Sequence, residues 1–219
     1  MKINVTDVQQ LVPSSVKLGF YLYDTNTKES LCINENETFP LASVAKWIAS
    51  SIAFQAGIVV EPVVIEEAIY KHSTEAYLSI LEKMSSQEIN KELQQRGLEL
   101  VIHKDNTSIT NNYGTPASIF QLMHSLYESM DKSNLIFQAL KQQEDFDGFR
   151  FSGPYEWLHM TGGLAGVCND VGYLYIEDRV LLCIGLLQTN DTHIEWQTLE
   201  RILQHIGALI VKKYTEERV

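Results

Sequence analysis

Phe39-Pro40-Leu41-Ala42-Ser43-Val44-Ala45-Lys46-Trp47-Ile48 places a serine and a lysine three residues apart where a helix is expected to begin. Residues i and i+3 stack one turn apart on a helix face, so the Lys46 amine is expected near the Ser43 hydroxyl. An alcohol is a poor nucleophile until a base takes its proton. A lysine can be that base once its surroundings lower its pKa. The apolar residues Trp47, Ile48, Ala49, Ile52, Ala53 and Phe54 would bury the helix and provide those surroundings. S-x-x-K also arises by chance, most often as an N-cap serine with a solvated lysine. Two readings therefore stand, a nucleophile with its base or a plain helix cap.

On the N-terminal side of this stretch, residues 5–12 carry Val5, Val8, Leu11 and Val12 at helical spacing, with Thr6 a candidate N-cap. Residues 16–23 are rich in β-branched and aromatic side chains and predict a strand. The short polar residues at 24–28 predict a turn, and 30–34 returns as the second strand of a hairpin. On the C-terminal side, 63–68, 76–84, 86–96 and 116–130 repeat apolar residues at i, i+3 and i+4, and 134–140 adds a short helix. Gly97 is a candidate C-cap, and Thr115-Pro116 reads as an N-cap followed by proline at the first helical position. Residues 103–114 are polar and aperiodic and predict a surface loop, and 142–153 an irregular connection. Strands are expected at 155–161, at 171–177 with a start nearer Gly166, and at 179–188 after the turn Glu177-Asp178. Thr192 opens a final helix to about Tyr214, with Ile194, Leu199, Ile202, Leu203, Ile206, Leu209 and Ile210 as its apolar stripe.

Hairpins without βαβ alternation imply an α+β fold. The expected architecture is a five-stranded antiparallel sheet flanked by N- and C-terminal helices, with an inserted all-helical lobe. Residues 1–42 and 148–219 are expected to form the sheet lobe and 43–147 the helical lobe, in one folded unit with a site in the cleft between them.

Hydrophobic residues make up 45% of the 219, enough for a sizeable core. The net charge of −11 argues against nucleic acid or an anionic membrane as partner. No window approaches a membrane-spanning apolar length. Met1-Lys2-Ile3-Asn4-Val5-Thr6-Asp7 lacks the apolar core of a leader peptide, so a cytoplasmic location is expected. Cys32, Cys168 and Cys183 are read as reduced, buried thiols. No His, Cys or Asp cluster has ligand spacing, so neither a metal nor another cofactor is expected. His193 and His205, on or near the final helix, are read as structural.

The run His159-Met160-Thr161-Gly162-Gly163-Leu164-Ala165-Gly166-Val167-Cys168-Asn169-Asp170-Val171-Gly172 resembles the K-T-G strand of class A β-lactamases and related penicillin-binding proteins. In that superfamily the S-x-x-K serine is the nucleophile, S-x-N lies on the helical lobe and K-T-G on an edge strand. The pattern from Gly19 to Lys46 is similar too, ending in Phe-Pro-x-Ala-Ser-x-x-Lys, and Thr115-Pro116 resembles the family's Thr-Pro after its Ω-loop. The likeness runs in order through nearly the whole chain. It implies Ser43 as nucleophile, Lys46 as base, and the amides of Ser43 and Gly163 as an oxyanion hole beside Gly162. It also implies Thr161 as a hydroxyl for a substrate carboxylate.

Three departures stand against this. Met160 replaces the lysine that supplies positive charge. His159 is adjacent, but neighbours on a strand point to opposite faces, so it substitutes for that lysine in binding substrate only if a bulge shifts the register. The second motif is reduced to His72-Ser73-Thr74-Glu75-Ala76-Tyr77. There Ser73 is the candidate proton relay, His72 takes that place if the alignment slips by one, and a bare helix N-cap is the alternative. Between Leu98 and Thr115 the family's Glu-x-x-x-Asn is absent, and Glu99 and Asp105 match neither position.

Two functions follow from these readings. One is a serine hydrolase that opens an ester or amide through an acyl-enzyme on Ser43, with a small-molecule ester, amide or β-lactam-like ligand as partner. The other is a catalytically degraded scaffold of the same ancestry that binds a ligand or partner without covalent change.

Overall fold

In the computed structural model, residues 3–129, 134–145 and 147–215 are described. Met130 at the end of the 116–130 helix, Met1 and Lys2 of the leader expectation, and Phe146 of the irregular connection lie outside them.

The elements in order are α1 (Val5–Gln9), β1 (Lys17–Asp24), β2 (Ser30–Ile33), β3 (Phe39–Pro40), α2 (Val44–Gln55), α3 (Pro62–Ile69), α4 (Thr74–Lys83) and α5 (Ser86–Gln95). After these come β4 (Leu100–Val101), β5 (Tyr113–Gly114), α6 (Pro116–Ser129), α7 (Leu135–Lys141), β6 (Glu156–Leu164), β7 (Val167–Ile176), β8 (Arg179–Gln188) and α8 (Trp196–Thr215). The main sheet runs β2-β1-β8-β7-β6 and every pairing is antiparallel, so the two strand groups join in one five-stranded sheet as expected.

Both faces of that sheet are covered. One packs with α2 to α7 around Trp47, Tyr77, Phe137 and Met160; the other packs with α1 and α8 around Phe20, Phe149, Leu203 and Ile206. Strands buried on two sides lose the apolar–polar alternation, which is why β7 and β8 read as nearly continuous apolar runs. On α8, Leu199, Leu203, Ile206 and Ile210 are fully buried, each worth about 1.5–3 kcal/mol.

Local signals set several boundaries. The Thr115 hydroxyl oxygen accepts the Ser118 amide at 3.2 Å, capping α6 with Pro116 in its first turn. Gly97, at φ +71°, ends α5. The final helix begins at Trp196, three residues later than a cap at Thr192 would place it. Asp191 and Thr189 hold the intervening segment in turns, through His193 N to Asp191 Oδ1 at 2.9 Å and Asp191 N to Thr189 Oγ1 at 3.1 Å. The 103–114 loop also ends differently. Its last residues form β5, which pairs with both β3 and β4 in a small second sheet. That sheet fixes the approach to Ser43, since Leu41 N donates to Asn112 O at 2.9 Å. Among the described residues no helix is long and apolar enough to cross a membrane.

Candidate active site

Ser43 stands at the N-terminus of α2, after Ala42 at φ +49°. Left-handed backbone is strained for alanine and persists where its surroundings enforce it. Asn169 on β7 helps to enforce it, its Nδ2 donating to Pro40 O at 2.8 Å. The Ser43 side chain makes no capping hydrogen bond. Instead Lys46 Nζ lies 3.1 Å from Ser43 Oγ. Lys46 is 2% exposed, enclosed by a helix whose Val44, Ala45, Trp47 and Ile48 are all buried. Burial pushes the amine down to about 8. This geometry is not that of a capping serine with a solvated lysine.

The far wall is β6, an edge strand. Gly162 abuts the start of α2 so closely that a Cβ there would lie 2.8 Å from Leu41 O and 3.1 Å from Ser43 N. Gly163 is closed from behind by Trp196, whose Nε1 would lie 3.3 Å from a Cβ at that position. An edge strand leaves alternate amides without a strand partner, so backbone donors are available on the rim of the site.

The Thr161 hydroxyl donates to Asp145 Oδ2 at 2.9 Å, and its oxygen lies 3.4 Å from His72 Nε2. His72 has φ +52° in the α3–α4 connection. Gln143 contacts the same nitrogen at 2.7 Å. The Gln143 amide is oriented by backbone: its Oε1 accepts Asp145 N at 3.1 Å and its Nε2 donates to Ile69 O at 3.3 Å. Gln143 Nε2 is therefore the donor to His72, and this assigns the neutral imidazole proton to Nδ1. Burial lowers the His72 pKa, opposed by the Asp145 charge and reinforced by Lys46.

Burial alone would raise Asp145, but the Asp147 amide at 3.0 Å and the Thr161 hydroxyl hold it below the usual carboxylate range. Asp147 is pushed up to about 7, by burial and then by the Asp145 charge.

Two expectations need correction. The Ser73 oxygen serves its own helix, accepting Ala76 N at 3.1 Å as the cap of α4, and it is the adjacent His72 that contacts Thr161. A serine with extended backbone just before a helix satisfies an otherwise orphaned amide, and that local demand decides its orientation. His159 does not replace the lysine. β6 and β7 pair residue for residue from Glu156↔Tyr175 to Leu164↔Val167, with no bulge. His159 therefore points to the opposite side from Met160. It is 5% exposed, stacked on Trp157 at 5.2 Å, with Nδ1 2.8 Å from Asp170 Oδ1. Met160 is fully buried in the helical-side core.

Sequence reading missed Gln143, Asp145 and Asn169. Neither Glu99 nor Asp105 hydrogen-bonds to Ser43: Glu99 is exposed, and the Asp105 carboxylate accepts from Thr107 and Asn111 within its own loop. Among the described residues, no hydrogen bond or ion pair joins a carboxylate to Ser43 or Lys46.

A family model described as the Beta-lactamase enzyme family matches residues 64–214, more than half of the chain. The chain belongs to the beta-lactamase enzyme family. The match begins after Ser43 and Lys46, so their pairing stands on geometry. A PBP-A mutant solved as an acyl-enzyme complex with penicillin G is 16% identical; the alignment covers 97% of this chain and 98% of that one, with a TM-score of 0.82. The beta-lactamase from Sphaerobacter thermophilus DSM 20745 is 14% identical over 95% of both chains, with a TM-score of 0.82. A variant of the last common ancestor of Gram-negative bacteria beta-lactamase class A is 14% identical over 97% of this chain and 98% of that one, with a TM-score of 0.84. At such identities the likeness establishes the fold alone, that of the class A beta-lactamases. No curated protein matches the chain.

Proposed function

We propose that this protein hydrolyses an ester or amide through an acyl-enzyme on Ser43. The observation that carries the reading is the 3.1 Å contact between Ser43 Oγ and a buried Lys46 amine held near 8. At neutral pH about one amine in ten is then unprotonated and able to accept the serine proton. As Ser43 Oγ bonds to the substrate carbonyl carbon, that proton passes to Lys46 Nζ. The carbonyl oxygen gains charge against the amides of Ser43 and Gly163. When the tetrahedral adduct collapses, Lys46 returns the proton to the departing alkoxide or amine. Ser73 is assigned no part, because its hydroxyl caps α4. The test is to offer activated esters and a fluorescent penicillin and to map any adduct by mass spectrometry. The reading expects an acyl group on Ser43 and none in Ser43→Ala. Turnover that survives Ser43→Ala overturns it.

A second reading, a scaffold that binds without turnover, draws support from Met160 and from the lack, among the described residues, of a carboxylate bonded to Lys46. It expects ligand stabilisation of the fold with no covalent change.

A further inference from the structure

The subsite beside Thr161 has the opposite polarity from the one the family likeness implies. In the likeness, a lysine and a threonine hydroxyl receive a substrate carboxylate. Here Met160 stands in the lysine's place and is buried in the core. The single proton of the Thr161 hydroxyl goes to Asp145 Oδ2 at 2.9 Å. His72 Nε2 is an acceptor, because Gln143 donates to it at 2.7 Å. Neither Thr161 nor His72 Nε2 therefore has a proton for a substrate carboxylate.

Asp145 is fixed in this position. Its Oδ1 accepts Asp147 N at 3.0 Å, its own amide donates to Gln143 Oε1 at 3.1 Å, and Gln143 is tied to Ile69 O. The chain has in effect placed its own carboxylate where the family places a ligand's. Asp145 is only partly buried, and its carboxylate has lone pairs beyond those that Thr161 and Asp147 occupy.

We propose that Asp145 makes this a cation-selecting subsite: the ester or amide that acylates Ser43 carries an ammonium group on the part lying against Thr161. The inference rests on the reading of Ser43 as an acylated nucleophile. An ammonium brings three donors to a place rich in acceptors, the Asp145 carboxylate and the Thr161 oxygen among them. A carboxylate meets like charge at a half-buried position where salt screens little. The donors that hold Asp145 below the usual carboxylate range keep it ionised at neutral pH.

The test uses three nitrophenyl esters of equal length ending in an ammonium, a methyl or a carboxylate group. The expected order of kcat/KM is ammonium, then methyl, then carboxylate, with the extremes separated by about tenfold or more. In Asp145→Asn the ratio of the extremes falls towards one. In Thr161→Val, which keeps the charge, the ammonium ester stays preferred. A wild-type preference for the carboxylate ester, or an unchanged ratio in a folded Asp145→Asn, overturns the proposal. A second arm needs no turnover: the thermal shift of Ser43→Ala with the matching unreactive amides. A larger rise in Tm with the ammonium amide supports the subsite; a larger rise with the carboxylate amide, or none with either, overturns it. If no ester shows Ser43-dependent turnover, the hydrolase reading fails, and the amide arm still decides the charge preference.

Discussion

Asn169 Nδ2 donates to the Pro40 carbonyl at 2.8 Å, tying a central strand to the residue three before Ser43. Asn169 is 1% exposed and its Oδ1 has no hydrogen-bond partner among the described residues. A buried amide left half satisfied is costly, so it is kept here for what it positions. Asn169→Leu is expected to leave the Pro40 carbonyl without its donor and to free the strained Ala42. The expected loss of stability is about 1–2 kcal/mol, read as a fall in Tm of about 2–8 °C. The rate of Ser43 acylation should fall by more than the melting temperature alone accounts for.

Gly162 faces the start of α2 with no room for a methyl group. In Gly162→Ala the new Cβ meets backbone, Leu41 O and Ser43 N, and backbone yields only by moving the strand. The expected result is a folded protein with acylation slowed by about a hundredfold, since a displacement of about 1 Å at a site costs that much. Circular dichroism establishes the fold and stopped-flow acylation the rate.

Lys46 is expected to weaken the fold it serves. A lysine held near 8 in the native state, against an ordinary 10.5, binds its proton more weakly folded than unfolded. The resulting penalty of about 3 kcal/mol is fully present below pH 8. It fades as pH rises through 8 towards the unfolded value. Lys46→Met should therefore raise Tm near neutral pH and lose that advantage in alkali, while abolishing acylation. Melting curves across pH check the sign.

His159 and Asp170 form a buried pair on the sheet face away from Met160. Burial raises the Asp170 pKa, and the His159 ring opposes that. His159→Leu leaves the carboxylate without its ring partner and is expected to cost about 3 kcal/mol. The loss should grow with pH, because an Asp170 without that ring must either stay protonated or ionise unpaired. Denaturant titration at two pH values measures it. A substrate-binding His159 would instead raise KM and leave stability nearly intact.

Periodicity and turn chemistry carried the architecture in the sequence, because each element's apolar face is written in consecutive residues. The Ser43/Lys46 pair was legible for the same reason, lying one helical turn apart. Asp145 and Gln143 were not. They sit in an aperiodic connection and meet Thr161 and His72 only through the fold, up to 74 residues away for the Gln143 bond to Ile69 O. For Ser73 the sequence left a proton relay and a helix N-cap both open, and the structure takes the cap because a helix start needs an oxygen for its orphaned amide. The lack of a bulge at His159 depended on nine consecutive pairings with β7, which no residue of β6 announces by itself.

The measurement closest to the central claim is the pH dependence of Ser43 acylation by an activated ester, followed by intact-mass spectrometry from mildly acidic to mildly alkaline solution. The account predicts an adduct on Ser43 whose rate rises with pH and reaches half its maximum near 8, where Lys46 loses its proton. A rate that keeps rising beyond the ordinary lysine value, or one unaltered in Lys46→Met, would contradict it.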